Sequence, residues 1–334
     1  MGIGAIKYAF RRTGRFIAAS LLLFPTVVPV SAGEVMASDN PPDAVAGFVS
    51  GRQEWALVWS DEFDREGLPD PTKWTYDVDR NAAGWYNQEL QYYAHERKEN
   101  AHVANGVLSI TARREQLRSM PDYGGQDYTS ARLMTRNLPG GEWTYGFFEV
   151  RAKLPCSRGL WPAIWLLGVG GVWPDDGEID IMEQKGLTDA DKLSVQAALH
   201  TKAYNHAGGS MGKSREETHS VPTACTAFHN YQLRWTDQDI VIGVDDVPYF
   251  HFQKPHHARR SVWPFDRPHY LLLNVAVGGV LGGKVPQEFE HDAMLVDYVR
   301  IYSLSVVEKK PDGATPASVP ASGAQGADTP AISH

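Results

Sequence analysis

The sequence predicts an all-β protein, a sandwich or jelly roll of two antiparallel sheets. Three observations predict it. First, the dominant hydrophobic period is two: in Tyr145 to Leu154 polar and apolar positions alternate, and Val107 to Ala112 repeats the pattern. Second, short β-branched or apolar runs, Ile240 to Val244 and Tyr270 to Val277, are bounded by Asp, Pro and Gly. Third, no long segment carries a helical period, and 31 Gly and 21 Pro supply turns. Many short strands without alternating helices exclude a βαβ architecture. No repeat of 20–50 residues is visible.

Taken in order, the chain opens on a targeting segment. Lys7, Arg11, Arg12 and Arg15 form a basic stretch, Phe16 to Val30 is apolar, and Val30-Ser31-Ala32 offers small residues for cleavage after Ala32. Residues 1–32 therefore read as a signal peptide. The apolar run of 15 residues contains Pro25 and is short of the ~20 that a spanning helix needs. The mature chain is expected to be periplasmic or extracellular, with no membrane attachment. Residues 33–53 read as a flexible segment and 54–304 as one folded domain. Residues 305–334, rich in Pro, Ala and Ser, bury too little apolar surface to fold and read as a disordered tail.

Composition narrows the function. The net charge is −8, and the first 32 residues hold four bases and no acid, so the remainder is more acidic still. That excludes a nucleic-acid binder, which needs a basic face. Two cysteines exclude a Cys-rich zinc module. In an exported chain, Cys156 and Cys225 either pair or remain free thiols; both stand in loops at strand ends, so a disulfide is expected. Ten Trp and 14 Tyr suit a protein that stacks flat partners such as sugar rings.

The chemical centre is Gly177-Glu178-Ile179-Asp180-Ile181-Met182-Glu183. On a strand Glu178 and Asp180 share a face. Regular alternation would then put Met182 on that face and Glu183 on the other. A β-bulge between Asp180 and Glu183 would absorb one residue and return Glu183 to the acidic face. Glu-x-Asp-x-x-Glu alone recurs by chance in roughly one chain in ten of this length, and a solvated acidic strand would carry it equally well. The surrounding sequence has to decide.

That context resembles glycoside hydrolase family 16 in its bulged, laminarinase-like form. Gly177 to Glu183 matches the family's active-site strand, and Leu160-Trp161-Pro162-Ala163-Ile164-Trp165 its tryptophan-bearing strand. Tyr128 to Leu133, Gly146 to Pro155, Ala198-Leu199-His200, Phe228 to Tyr231, Trp263 to Asp266, Leu273 to Gly279 and Val296 to Tyr302 follow in family order. The resemblance covers about residues 54–303. It implies a β-jelly-roll sandwich with a concave sugar-binding cleft, an endo-acting retaining β-1,3-glucanase activity, a β-glucan substrate, a monomer, and no cofactor for catalysis. It implies Glu178 as nucleophile, Glu183 as general acid and then base, and Asp180 as the residue that tunes the pair. Family members often carry a structural calcium ion away from the cleft; the matching positions are Glu62, the Gly106 carbonyl and Asp297.

Trp161 and Trp165 are four apart and share a face, available to stack sugar rings or to fill a core. Trp85 and Asn87 match a cleft-rim segment in which Asn87 meets a hydroxyl. Arg132 can bridge hydroxyls or orient an acid, Trp173 borders the cleft, and His200 ends a strand beside the acids, to bind substrate or to make a structural hydrogen bond. His256 and His257 sit in a basic loop that reads as solvated, not as a metal site. One departure stands out: Gly279-Val280-Leu281-Gly282 lacks the Trp that laminarinase-like members commonly carry there. Alternatives in the enzyme class are a mixed-linkage β-1,3-1,4-glucanase, a galactan hydrolase and a transglycosylase. The alternative outside it is a β-glucan-binding lectin, which would be expected to lack one or both glutamates.

Overall fold

The computed structural model describes residues 55–304. The expected signal peptide, the segment before Trp55 and the expected tail lie outside the described residues. In chain order the strands are β1 Trp55–Asp61, β2 Thr75–Tyr76, β3 Gln91–Tyr93, β4 Ala101–Ala104, β5 Val107–Arg114, β6 Tyr128–Ser130, β7 Arg132–Met134, β8 Glu142–Trp143 and β9 Gly146–Lys153. There follow β10 Leu160–Gly168, β11 Glu178–Glu183, β12 Ser194–His200, β13 Arg215–Ser220, β14 His229–Trp235, β15 Asp239–Val244, β16 Val247–Gln253, β17 His269–Val277 and β18 His291–Leu304. Helix among the described residues is limited to single turns.

Two open sheets result. One has ten strands, running β16-β15-β14-β9-β18-β5-β6-β3, with β1 on β18 and β4 on β5. The other has eight, running β13-β12-β11-β10-β17-β7-β2, with β8 on β17. Pairing is antiparallel except between β3 and β6, which run parallel at the end of the larger sheet. The expected sandwich of two antiparallel sheets is thus found, with one short parallel pair of three-residue strands at the edge.

The period-two pattern places the core. In β10, Leu160, Ile164 and Leu166 join the core while the odd positions point away from it; in β17, Leu271, Leu273, Val275 and Val277 do the same. Opposite them stand Phe148, Val150 and Ala152 of β9, Leu108, Ile110 and Ala112 of β5, and Val299 and Ile301 of β18. Apolar side chains facing each other across two layers supply the main driving force for the fold. Cys156 and Cys225 are joined by a disulfide with Cα atoms 5.1 Å apart, which ties the exit of β9 to the loop before β14.

Candidate active site

The site is built on the outer face of the eight-stranded sheet. Trp161, Ala163, Trp165 and Leu167, the odd positions of β10, line a cleft of about 590 Å³. Glu178, Asp180 and Glu183 of β11 line it beside them, with Asn274 and Ala276 of β17 on the other flank. Alternation alone accounts for β10 and β17. It does not account for β11, where the pairing with β12 steps from Asp180↔Ala198 to Glu183↔Gln196, three residues against two. Against β10 the step is from Trp165↔Asp180 to Ile164↔Met182. This is the β-bulge that the acidic spacing requires. Ile181 and Met182 are both fully buried in the core, so Glu183 emerges on the cleft side.

The start of β11 is also constrained. Gly177 has φ +86°, and a Cβ there would sit 2.7 Å from Pro264 Cγ and 3.1 Å from His269 Nε2. Only glycine fits both the backbone and the space, so the strand enters at a fixed point and Glu178 follows.

Each acid has a distinct surrounding. The indole of Trp173 donates to Glu178 Oε2. Asp180 is 2% exposed. Its pKa is pushed well above the ordinary carboxylate value by burial, then by the charge of Glu178 and a hydrogen bond to it. Burial and the neighbouring carboxylate therefore favour the protonated form of Asp180. One oxygen from each of these acids and a ring nitrogen of His200 lie within 4.8 Å of one another. His200 Nε2 is 3.3 Å from Asp180 Oδ2. Glu183 accepts from the Trp161 indole at 2.9 Å. Burial first, and then its acidic neighbours, raise its pKa well above the ordinary value, while His200 and the Trp161 hydrogen bond pull the other way. A carboxyl held protonated above an open cleft is equipped to act as a general acid.

The aromatic floor is braced from below. The Trp165 indole donates to Asn274 Oδ1 at 2.8 Å, and Asn274 Nδ2 donates to the Tyr93 hydroxyl at 3.1 Å. The Arg132 guanidinium lies 4.7 Å from the Trp165 ring and 5.2 Å from the Trp85 ring, and pairs with Asp77 at 3.1 Å. Two rings on one guanidinium hold each other's orientation through cation–π attraction. Trp85 itself does not line the cleft. It is 7% exposed and its indole donates to Asn81, so its expected contact with substrate is corrected to a support beneath Arg132. His200 likewise stands behind the acids, packed edge-on against His206 at 5.0 Å. Asn87 and Trp173 line opposite rims.

Tyr86, Glu89, His206 and Asn274 were not singled out from sequence, yet all line the cleft. Asn274 had a readable signal, as the lone amide in a strand buried along its whole length. Glu89 is a buried carboxyl whose pKa burial raises, opposed by Arg132. His206 reaches the site from a loop and had no signal. The residues expected to hold calcium sit on the other sheet. Glu62 takes Arg300 through both oxygens, at 2.9 and 2.8 Å, and Asp297 takes Arg151 at 2.8 Å. His256 and His257 are exposed, as a solvated loop requires.

The raised pKa of Glu183 makes a stability prediction. Its folded value lies above the unfolded 4.5, so the unfolded chain releases this proton first as pH rises. The contribution of this group to stability is full below pH ~4 and is lost as pH climbs towards the folded value. Glu183→Gln keeps the acceptor for Trp161 and removes the titration. It should melt about 2–4 °C above the wild type at pH 7, and this gap should close as pH falls to 4 in a calorimetric series.

The glycosyl hydrolases family 16 model matches residues 88–300. A β-glucanase from Rhodothermus marinus is 49% identical over 259 residues, 74% of this chain and 85% of that protein. The crystal structure of the laminarinase from Rhodothermus marinus superposes with a TM-score of 0.68 at 48% identity, covering 76% of this chain and 100% of that one. A non-specific endo-β-1,3(4)-glucanase of the same family gives a TM-score of 0.70 at 47% identity, over 75% and 92% of the two chains. With its bulged acidic strand, tryptophan floor and two-sheet frame, the chain belongs to glycoside hydrolase family 16.

Proposed function

We propose that this protein is an endo-acting, retaining glycoside hydrolase that cleaves β-1,3-glucan chains by double displacement. The observation that carries the reading is the bulge that turns Glu183 onto the same cleft face as Glu178. Glu178, ionised and steadied by the Trp173 indole and the proton of Asp180, attacks the anomeric carbon. Glu183, held protonated by burial and by its acidic neighbours, gives its proton to the departing glycosidic oxygen. The glycosyl-enzyme ester then meets water, from which Glu183 now takes a proton. Nucleophile and proton both come from side chains, so the chemistry asks for no cofactor. Trp161 and Trp165 offer ring faces, and Asn87 supplies hydroxyl contacts at the rim.

Mixed-linkage action is the second reading, favoured by the 47% identity to a non-specific endo-β-1,3(4)-glucanase. Products from laminarin and lichenan rank the two.

Proton NMR of laminarin hydrolysis should show β reducing ends first; α ends first would mean inversion and a wrong role for Glu178. Glu183→Ala should lower kcat by about 10²–10⁴-fold. Azide should give an α-glycosyl azide with Glu178→Ala and a β-glycosyl azide with Glu183→Ala, so product stereochemistry separates the two roles.

We also infer export. The basic and apolar leader in residues 1–32 supports it, as does the Cys156–Cys225 disulfide, since such bonds persist in oxidising compartments. Amino-terminal sequencing of the secreted form should begin near Gly33, whereas a membrane-held chain beginning at Met1 would overturn the inference.

For a structural calcium ion we propose Glu62, Asp297 and the Gly106 carbonyl. The β1–β18 pairing ends at Asp61↔Val299 and the β18–β5 pairing reaches Val296↔Leu108, a register that supports a shared neighbourhood for the three. Three oxygen donors suit a hard cation, in competition with Arg300 and Arg151 for the carboxylates. Chelation should lower the melting temperature, calcium should restore it, and Glu62→Ala should abolish the response. An unchanged melting curve in wild type rejects the site.

A further inference from the structure

A buried lysine behind the catalytic strand has no role in the chemistry above. Lys192 lies in the short turn Asp191–Leu193 that leads into β12, and is 3% exposed. Among the described residues no carboxylate comes within ion-pair distance of its amine. An unpaired buried ammonium is costly; burial draws its pKa down to about 7, against the pull of Asp292 and Asp191. Met or Leu would fill the same space without that cost, so the amine's hydrogen bonds must supply something an apolar chain cannot.

Those bonds converge on Glu183. Lys192 Nζ donates to the Leu160 carbonyl at 3.1 Å and to Gln184 Oε1 at 3.1 Å. Gln184 Nε2 donates back to the Lys192 carbonyl at 3.0 Å. Leu160 immediately precedes Trp161, whose indole donates to Glu183, and Gln184 immediately follows Glu183. One amine therefore fixes the main chain beside the Trp161 donor and the side chain beside the carboxyl it serves. The need for such a brace is local. A bulge removes regular ladder bonds from the strand that carries it, and here it lies just before Glu183, where β11 ends. Past that point the exit is held by Gln184 N donating to the Pro162 carbonyl at 3.2 Å and Gly159 N donating to the Gly186 carbonyl at 3.0 Å. Lys192 joins these two chains from a third. Both the charged and the neutral amine keep enough N–H donors for the two bonds.

We propose that Lys192 is a positioning residue for the general acid: through Leu160 and Gln184 it locks Trp161 and Glu183 into one geometry against the loosening effect of the bulge. The inference rests on the acid/base reading of Glu183.

The test uses two substrates that differ in their need for an acid. Laminarin has a poor leaving group that must be protonated, whereas 2,4-dinitrophenyl β-laminaribioside has one that leaves unaided. Since kcat/KM reports the first chemical step, Lys192→Met should lose roughly 10–100-fold on laminarin, the scale of a misplacement of about 1 Å, and less than threefold on the aryl glycoside. Gln184→Met should show the same split, and it decides the matter if Lys192→Met does not fold. Equal losses on both substrates, or wild-type kcat/KM on laminarin in a folded variant, would overturn the proposal. Glu183→Ala run alongside separates the two failures. If it shows the split and the Lys192 variant does not, only the lysine's role falls. If Glu183→Ala loses equally on both substrates, the acid/base reading falls and the lysine's role with it.

Discussion

The site depends on one defect in a ladder. In a regular strand Glu183 would face the core, where an unpaired carboxylate costs several kcal/mol, and Met182 would face the cleft. The bulge reverses both placements: Ile181 and Met182 go into the core together and Glu183 comes out. The apolar pair is itself the driving force, since two adjacent large hydrophobes have no better place than the interior. The bulge is thus paid for by burial, and the third acid follows from it as a geometric consequence.

Once three carboxylates share one face, electrostatics assigns their roles. They cannot all ionise at close range and low exposure. Asp180, the most buried, keeps a proton and donates it as a hydrogen bond to Glu178. Burial and the neighbouring Glu178 both resist loss of a proton from Glu183. Glu178 is the least buried of the three and accepts from the Trp173 indole. The two glutamates therefore differ in depth and neighbours although their residue type is the same.

Rigidity comes from polar groups tucked behind the floor. Asn274 and Tyr93 hold the Trp165 indole, Arg132 lies between two tryptophan rings, and Trp161 is tied to the acid itself. The tryptophans thus line the cleft while their N–H groups serve orientation. On a sheet whose backbone is already paired, this network leaves little freedom at the reacting groups.

The sequence alone determined the class of fold, because a period of two is written into each strand and needs no partner to be read. It also located the acidic strand and required its bulge, since only an absorbed residue brings Glu183 round to Glu178 and Asp180. Trp161 and Trp165 were legible as one face for the same reason. The tertiary structure alone decided what depends on neighbours distant in the chain. Trp85 proved to be a support because Arg132, some fifty residues away, lies against its ring. His206 enters from a loop, where no periodicity constrains position. Asp180 holds a proton because of its depth, which composition cannot reveal. Lys192 matters because three separate segments meet at its amine. Local periodicity is a property of the chain, while burial and convergence arise only once the two sheets have closed on each other.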